Sequence, residues 1–120
     1  MLSVMDVLGE CDLVQLDDLL DFMTEYALLD EGIMYLKIGD RFFEEGSPRY
    51  NPEMAFKFYT LSGNDGVAEA LRKAGHMRET GVGTDQSYQR AAECYQSAAD
   101  LGDPVAVRDL ASLKVRIPVH

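Results

Sequence analysis

His76 and Glu79 stand three residues apart, a spacing that on a helix sets an imidazole beside a carboxylate, as a metal pair or an acid–base pair requires. A metal site takes more ligands than two, and the other histidine, His120, is at the chain terminus, so the pair reads as a solvated helix face. Gly81-Val-Gly-Thr-Asp85 has glycines suited to cradling a phosphate. It follows a helical pattern, however, lacks the lysine such loops use and ends in an acid, and it is read as a connecting loop. Cys11 and Cys94 share no short spacing and lie in apolar helical patterns, where a free thiol packs as a small hydrophobe. No disulfide is expected between them, and no neighbouring base activates Cys94. These residues therefore predict no catalytic machinery, no metal and no cofactor, and a hydrolase is the least favoured class.

Charge narrows the partners. The net charge is −10, and residues 1 to 36 carry nine acids and no base, so the rest of the chain contributes only −1. Phosphate backbones and anionic lipid are held by clusters of Lys and Arg, which are missing here, so neither nucleic acid nor a membrane is expected as a partner. Apolar runs are only a few residues long, far short of a bilayer span. The start, Met1-Leu-Ser-Val-Met-Asp6, has an early acid, no base and no long apolar segment, unlike a secretory leader; the cytoplasm is the expected compartment.

The elements that would position these side chains are all helical. Ser3 with Asp6, closed by Gly9, predicts a turn or two of helix. Asp12 with Gln15 has the form of a capping box, and Leu13, Leu16, Leu19, Leu20, Met23, Tyr26 and Ala27 recur at helical spacing, predicting a helix over 12–30. Its opposite face carries Asp17, Asp21 and Glu25 at four-residue steps, which repel one another unless something screens them. A second helix is predicted over Ile33 to Glu45, with Met34, Ile38 and Phe42 on one face. Asn51-Pro52 opens a third with the buried stripe Met54, Ala55, Phe58, Tyr59 and Leu61. A fourth runs to Thr80, a fifth over Ser87 to Leu101, and a sixth from Asp103-Pro104 to about Lys114, stopping before Pro118. No segment reads as a strand.

A shift of 36 residues superposes Gly39 on Gly75, Ala55 on Ala91, Tyr59 on Tyr95, Gly66 on Gly102 and Ala70 on Ala106. Two helices per period of this length is the pattern of an α/α solenoid. Glycine within a helix costs ~1 kcal/mol relative to alanine. Gly39 and Gly75 are therefore expected where the paired helix approaches closely, with Tyr59 and Tyr95 filling the space left over.

Gly75 to Ala106, GHMRETGVGTDQSYQRAAECYQSAADLGDPVA, resembles a Sel-one-like repeat in its glycine loop, its Ala-Ala-x-x-Tyr-x-x-Ala-Ala helix and its closing glycine. Residues 35 to 70 resemble a more divergent copy. The loop of that first copy is one residue shorter, Arg78 stands where the family usually has an aromatic, and Gly81-Val-Gly83 reverses the usual order of small residue and valine. Some secreted members carry regularly spaced cysteine pairs that this chain lacks, so the resemblance implies an intracellular member. It also implies a tetratricopeptide-related adaptor or scaffold that binds another protein or a peptide and is no enzyme.

The expected fold is all-α, a short right-handed α/α solenoid of about two repeats with flanking capping helices. It divides into an acidic helical cap (1–32), a first repeat (33–66), a second repeat (67–102) and a capping helix and tail (103–120). On the concave face the candidate contacts are Leu36, Asp40 and Phe43 in one copy and Arg72, His76 and Glu79 in the other. Phe43 either enters this groove or folds inward against the amino-terminal helix. The competing expectation is a small inhibitor or immunity-type protein whose Asp17, Asp21 and Glu25 block a basic site. The apolar side of the last helix, with Val107, Leu110 and Leu113, either caps the core or pairs with a second copy as a homodimer.

Overall fold

Helices begin where a side chain can take up the free amides of the first turn. Ser3 and Asp6 exchange hydrogen bonds in a capping box ahead of α1 (Val4–Glu10), and Asp12 and Gln15 do the same ahead of α2 (Leu13–Glu25). α3 (Glu31–Phe42) starts without a side-chain cap. Asn51 Oδ1 accepts from the Met54 amide at the start of α4 (Pro52–Asn64), where Pro52 occupies the first turn. α5 spans Ala68–Thr80 and ends on Gly81, which takes the left-handed conformation at φ 76° while its amide donates to Met77 O. Ser87 caps α6 (Tyr88–Asp100), and Asp103 Oδ1 accepts from the amides of Val105 and Ala106 at the start of α7 (Pro104–Arg116). The computed structural model describes residues 2–116, and among them there is no strand. The histidine at 120 and the stop expected before Pro118 lie outside the described residues.

α3 pairs with α4 and α5 with α6, and α4 packs on α5 and α6 on α7, giving a stack of 47 × 28 × 26 Å. The turns between the units repeat atom for atom at the 36-residue shift. Gly66 (φ 87°) donates to Gly63 O and Val67 to Ser62 O; Gly102 (φ 92°) donates to Ala99 O and Asp103 to Ala98 O. A side chain at either glycine would strain this turn, which is why both copies keep the residue.

The close approach expected at Gly39 and Gly75 is present. A Cβ built on Gly39 would lie 2.7 Å from two ring carbons of Tyr59, and one on Gly75 would lie 2.6 Å from Tyr95. The main core runs from α1 to α5 and includes Val7, Leu19, Phe22, Ile38, Phe42, Phe58 and Tyr59. A smaller cluster of Ala91, Tyr95 and Leu113 ties α7 to α6.

α2 departs most from expectation. It ends at Glu25, not near residue 30, and its buried side is rotated: Leu13 is 81% exposed and Leu20 also faces out, while Phe22 is enclosed. The cause is tertiary, because Phe22 meets Phe42 edge-on at 5.0 Å and lies under the guanidinium groups of Arg41 and Arg49. Gly9 falls inside α1 instead of closing it, and α3 ends at Phe42. On α7, Leu113 is buried and Leu110 half-buried toward α6, whereas Val107 points outward.

Candidate functional site

The carboxy-terminal halves of α3 and α5, with α4 and the loops that follow α3 and α5, surround a cleft of about 430 Å³ lined by Asp40, Phe43, Glu45, Tyr50, Tyr59, Lys73, His76, Met77, Thr80 and Val82. Its walls come from both repeats. Phe43 stacks on Tyr50 with ring centroids 6.1 Å apart and meets Tyr59 edge-on at 6.3 Å, so it is a half-buried wall of the cleft.

The floor is braced by a polar triad. The Tyr59 hydroxyl donates to Asp40 Oδ1 (2.7 Å), and Lys73 from the next repeat donates to the same oxygen (2.6 Å) and pairs with Glu69 (3.1 Å). The second repeat builds the same brace with other charges. Tyr95 Oη lies 2.9 Å from His76 Nδ1 and donates to Glu79 Oε1 (3.0 Å), while His76 Nε2 lies 3.3 Å from Asp109 Oδ2, which has no other partner among the described residues. Lys73 and Asp109 are equivalent under the 36-residue shift, as are Asp40 and His76. Each brace therefore links a unit to the one after it, with different charges at the same positions.

Burial, followed by the neighbouring carboxylates Asp40 and Glu79, pushes the hydroxyls of Tyr59 and Tyr95 far above the usual tyrosine range. Burial alone would depress the Lys73 ammonium, but Asp40 and Glu69 outweigh it and hold its pKa above normal. The sign follows for stability: a hydroxyl that ionises less readily when folded stabilises the fold fully below pH ~10, and this is lost as pH rises past that point. Urea midpoints measured from pH 9 to 11.5 should therefore fall steeply above pH ~10. Tyr59→Phe should be about 1 kcal/mol less stable at pH 8 but show a shallower alkaline slope, since each such tyrosine contributes up to about 1.4 kcal/mol per pH unit. Identical slopes for the two proteins would contradict this origin of the shift.

Of the residues expected to line the groove, Asp40, Phe43 and His76 do so. Leu36 does not: it is 5% exposed and belongs to the main core, packed with the buried residues of α1 to α5 and leaving almost no surface for a partner. Arg72 is turned to the next unit, where its Nε donates to Asp103 Oδ2 (2.7 Å), and this guanidinium chiefly holds the Asp103 carboxyl below its normal range. Glu79 faces α7 and pairs with Arg116 at 2.5 Å. Tyr50, Glu45, Lys73, Met77 and Val82 were not foreseen. The 36-residue shift pairs Asp40 with His76 and Lys73 with Asp109, so it could not by itself have set Lys73 against Asp40.

The acids of α2 are drawn back onto the first repeat. Asp21 pairs with Arg49 at 2.9 Å, Asp18 with the same guanidinium at 3.1 Å, and Glu25 with Arg41, while Asp17 is exposed. The repulsion expected along this face is thus relieved by two arginines of the same chain. Burial pushes the thiols of Cys11 and Cys94 up, which makes both poor nucleophiles. No described helix is long and apolar enough to cross a membrane.

Searches of curated proteins and of solved structures find no match to the chain. The family model described as Sel1 repeat matches residues 33–67 and 68–103. Such repeats are generally protein–protein interaction modules and are not typically catalytic. The two matches together span more than half of the chain, and each holds one helix pair of the stack, α3–α4 and α5–α6: the chain belongs to the Sel1 repeat family.

Proposed function

We propose that the protein is an adaptor or scaffold module that holds a peptide or partner segment in the cleft between α3 and α5, without chemistry of its own. One observation carries the reading: the two repeats together line a concave space of about 430 Å³ with aromatic and apolar side chains, of which Tyr50 and Val82 are exposed, Phe43 is half-buried and Met77 is buried. In this reading residues 1–32 and 103–120 cap the two repeats, and the protein works in the cytoplasm without nucleic acid or membrane.

The competing reading, an inhibitor that presents Asp17, Asp21 and Glu25 to a basic site, has less support because Arg49 and Arg41 already engage two of those carboxylates. Pull-downs from native extract separate the two. Phe43→Ala is expected to weaken retention of a specific partner by about tenfold or more, the loss typical of a central aromatic contact. The triple change of Asp17, Asp21 and Glu25 to Lys should leave that partner bound. The reverse pattern, with binding that also collapses as salt rises, would move the assignment to the acidic helix.

A further inference from the structure

We infer that the mouth of the cleft is a seat for a cationic side chain, and that the partner segment presents an arginine or lysine next to an apolar residue. The inference rests on the peptide-binding reading above and names the chemistry of the peptide.

Three of the molecule's cations are held in one recurring way, with a ring beneath and a carboxylate alongside. Arg41 and Arg49 lie over Phe22 at 4.7 and 5.0 Å from its centroid while Glu25, Asp18 and Asp21 bind their nitrogens. Lys73 lies 5.6 Å from the Tyr59 centroid and is bound by Asp40 and Glu69. The ring quadrupole attracts the cation and the carboxylate supplies charge and hydrogen bonds, so the combination selects cations over neutral groups.

The cleft mouth repeats the combination without a cation. Tyr50, 37% exposed, is stacked on Phe43, and Glu45 lines the same cleft; among the described residues no basic group pairs with Glu45 or lies over either ring. Lys73, the one basic side chain lining the cleft apart from His76, is already engaged by two carboxylates. Asp40, Glu45, Glu69 and Lys73 leave this surface negative, which disfavours an acidic segment. In the same cleft Val82, 36% exposed, offers an apolar surface. An arginine or lysine on Tyr50 with its apolar neighbour against Val82 satisfies both parts.

The test is selection of random heptapeptides displayed on phage against the folded protein, with enriched peptides re-measured on Glu45→Gln, Tyr50→Leu and Phe43→Ala. Glu45 and Tyr50 are exposed, so circular dichroism should show both variants folded. The expected result is enrichment of Arg or Lys beside an apolar residue, at least tenfold weaker binding to Glu45→Gln and Tyr50→Leu, and a similar loss when citrulline replaces the arginine. Enriched peptides that need Phe43 but carry no basic residue would overturn the cationic seat and leave the peptide-binding cleft intact. Basic peptides indifferent to Glu45→Gln and Tyr50→Leu but lost on Asp17→Lys with Asp21→Lys would overturn it in favour of the acidic helix. No enrichment at all would overturn both the seat and the peptide-binding reading.

Discussion

Tyr95→Ala is expected to lower the melting temperature by on the order of 10–20 °C, whereas Tyr95→Phe lowers it by only about 4 °C. Tyr95 is the one large side chain that α6 buries completely; its other buried positions are Ala91 and Ala98. The ring lies against Gly75, which has no side chain to move into a vacancy, and meets His76 edge-on at 5.3 Å. Truncation therefore leaves a cavity that its surroundings cannot close, the circumstance in which losses approach the upper part of the ~3–5 kcal/mol range for removing a buried aromatic. It also removes a member of the three-residue cluster that includes Leu113 of α7. Amide exchange should accordingly quicken first in α6 and α7 and leave α3 and α4 protected. Phenylalanine keeps the ring and loses only the hydrogen bonds to Glu79 and His76, with Glu79 still paired to Arg116. Equal losses for the two variants would show that the hydroxyl network, and not the volume of the ring, holds α7 in place.

The repeat was legible because it is written in local signals that recur at a fixed interval. Glycine and tyrosine at 39 and 59, and again at 75 and 95, mark the close helix contact in the sequence itself. The caps at Ser3, Asp12, Asn51, Ser87 and Asp103 are short-range chemistry of the same kind. The facing of α2 was not legible, since Phe22 is chosen over Leu13 and Leu20 by Phe42, Arg41 and Arg49, and helical spacing in α2 alone carries no information about those residues. The same holds at the site. Spacing along α3 and α5 found Asp40, Phe43 and His76, but Arg72 and Glu79 share that face and are claimed by Asp103 and Arg116 of the next element. Whether a charged side chain on an inner helix is free for a partner depends on the unit that follows it. Periodicity within one helix cannot report this.

One substitution, glycine to alanine within a helix, should change sign with position, and a larger side chain at Gly75 should cost more than alanine there. At Gly9 in α1 nothing lies within 4 Å of the added methyl, so Gly9→Ala should stabilise by about 0.5–1 kcal/mol through backbone entropy. At Gly75 the same gain is set against a methyl 2.6 and 2.9 Å from two ring carbons of Tyr95, a residue with no room to retreat. Overpacking typically costs about 1–3 kcal/mol and more when nothing can shift, so Gly75→Ala should be a net loss of about 1–2 kcal/mol and Gly75→Leu a loss above about 3. Gly39→Ala should lose similarly, its methyl lying 2.7 Å from Tyr59 and 3.3 Å from Ala55 O. Exchanging the sizes supplies the decisive comparison. Gly75→Leu combined with Tyr95→Ala returns volume to the emptied space, so the pair should be more stable than the sum of the single losses by about 0.5–3 kcal/mol in urea unfolding. Strict additivity would mean that the two side chains do not share the space, and the reason for glycine at this point of the repeat would then have to lie in the backbone of α5 itself.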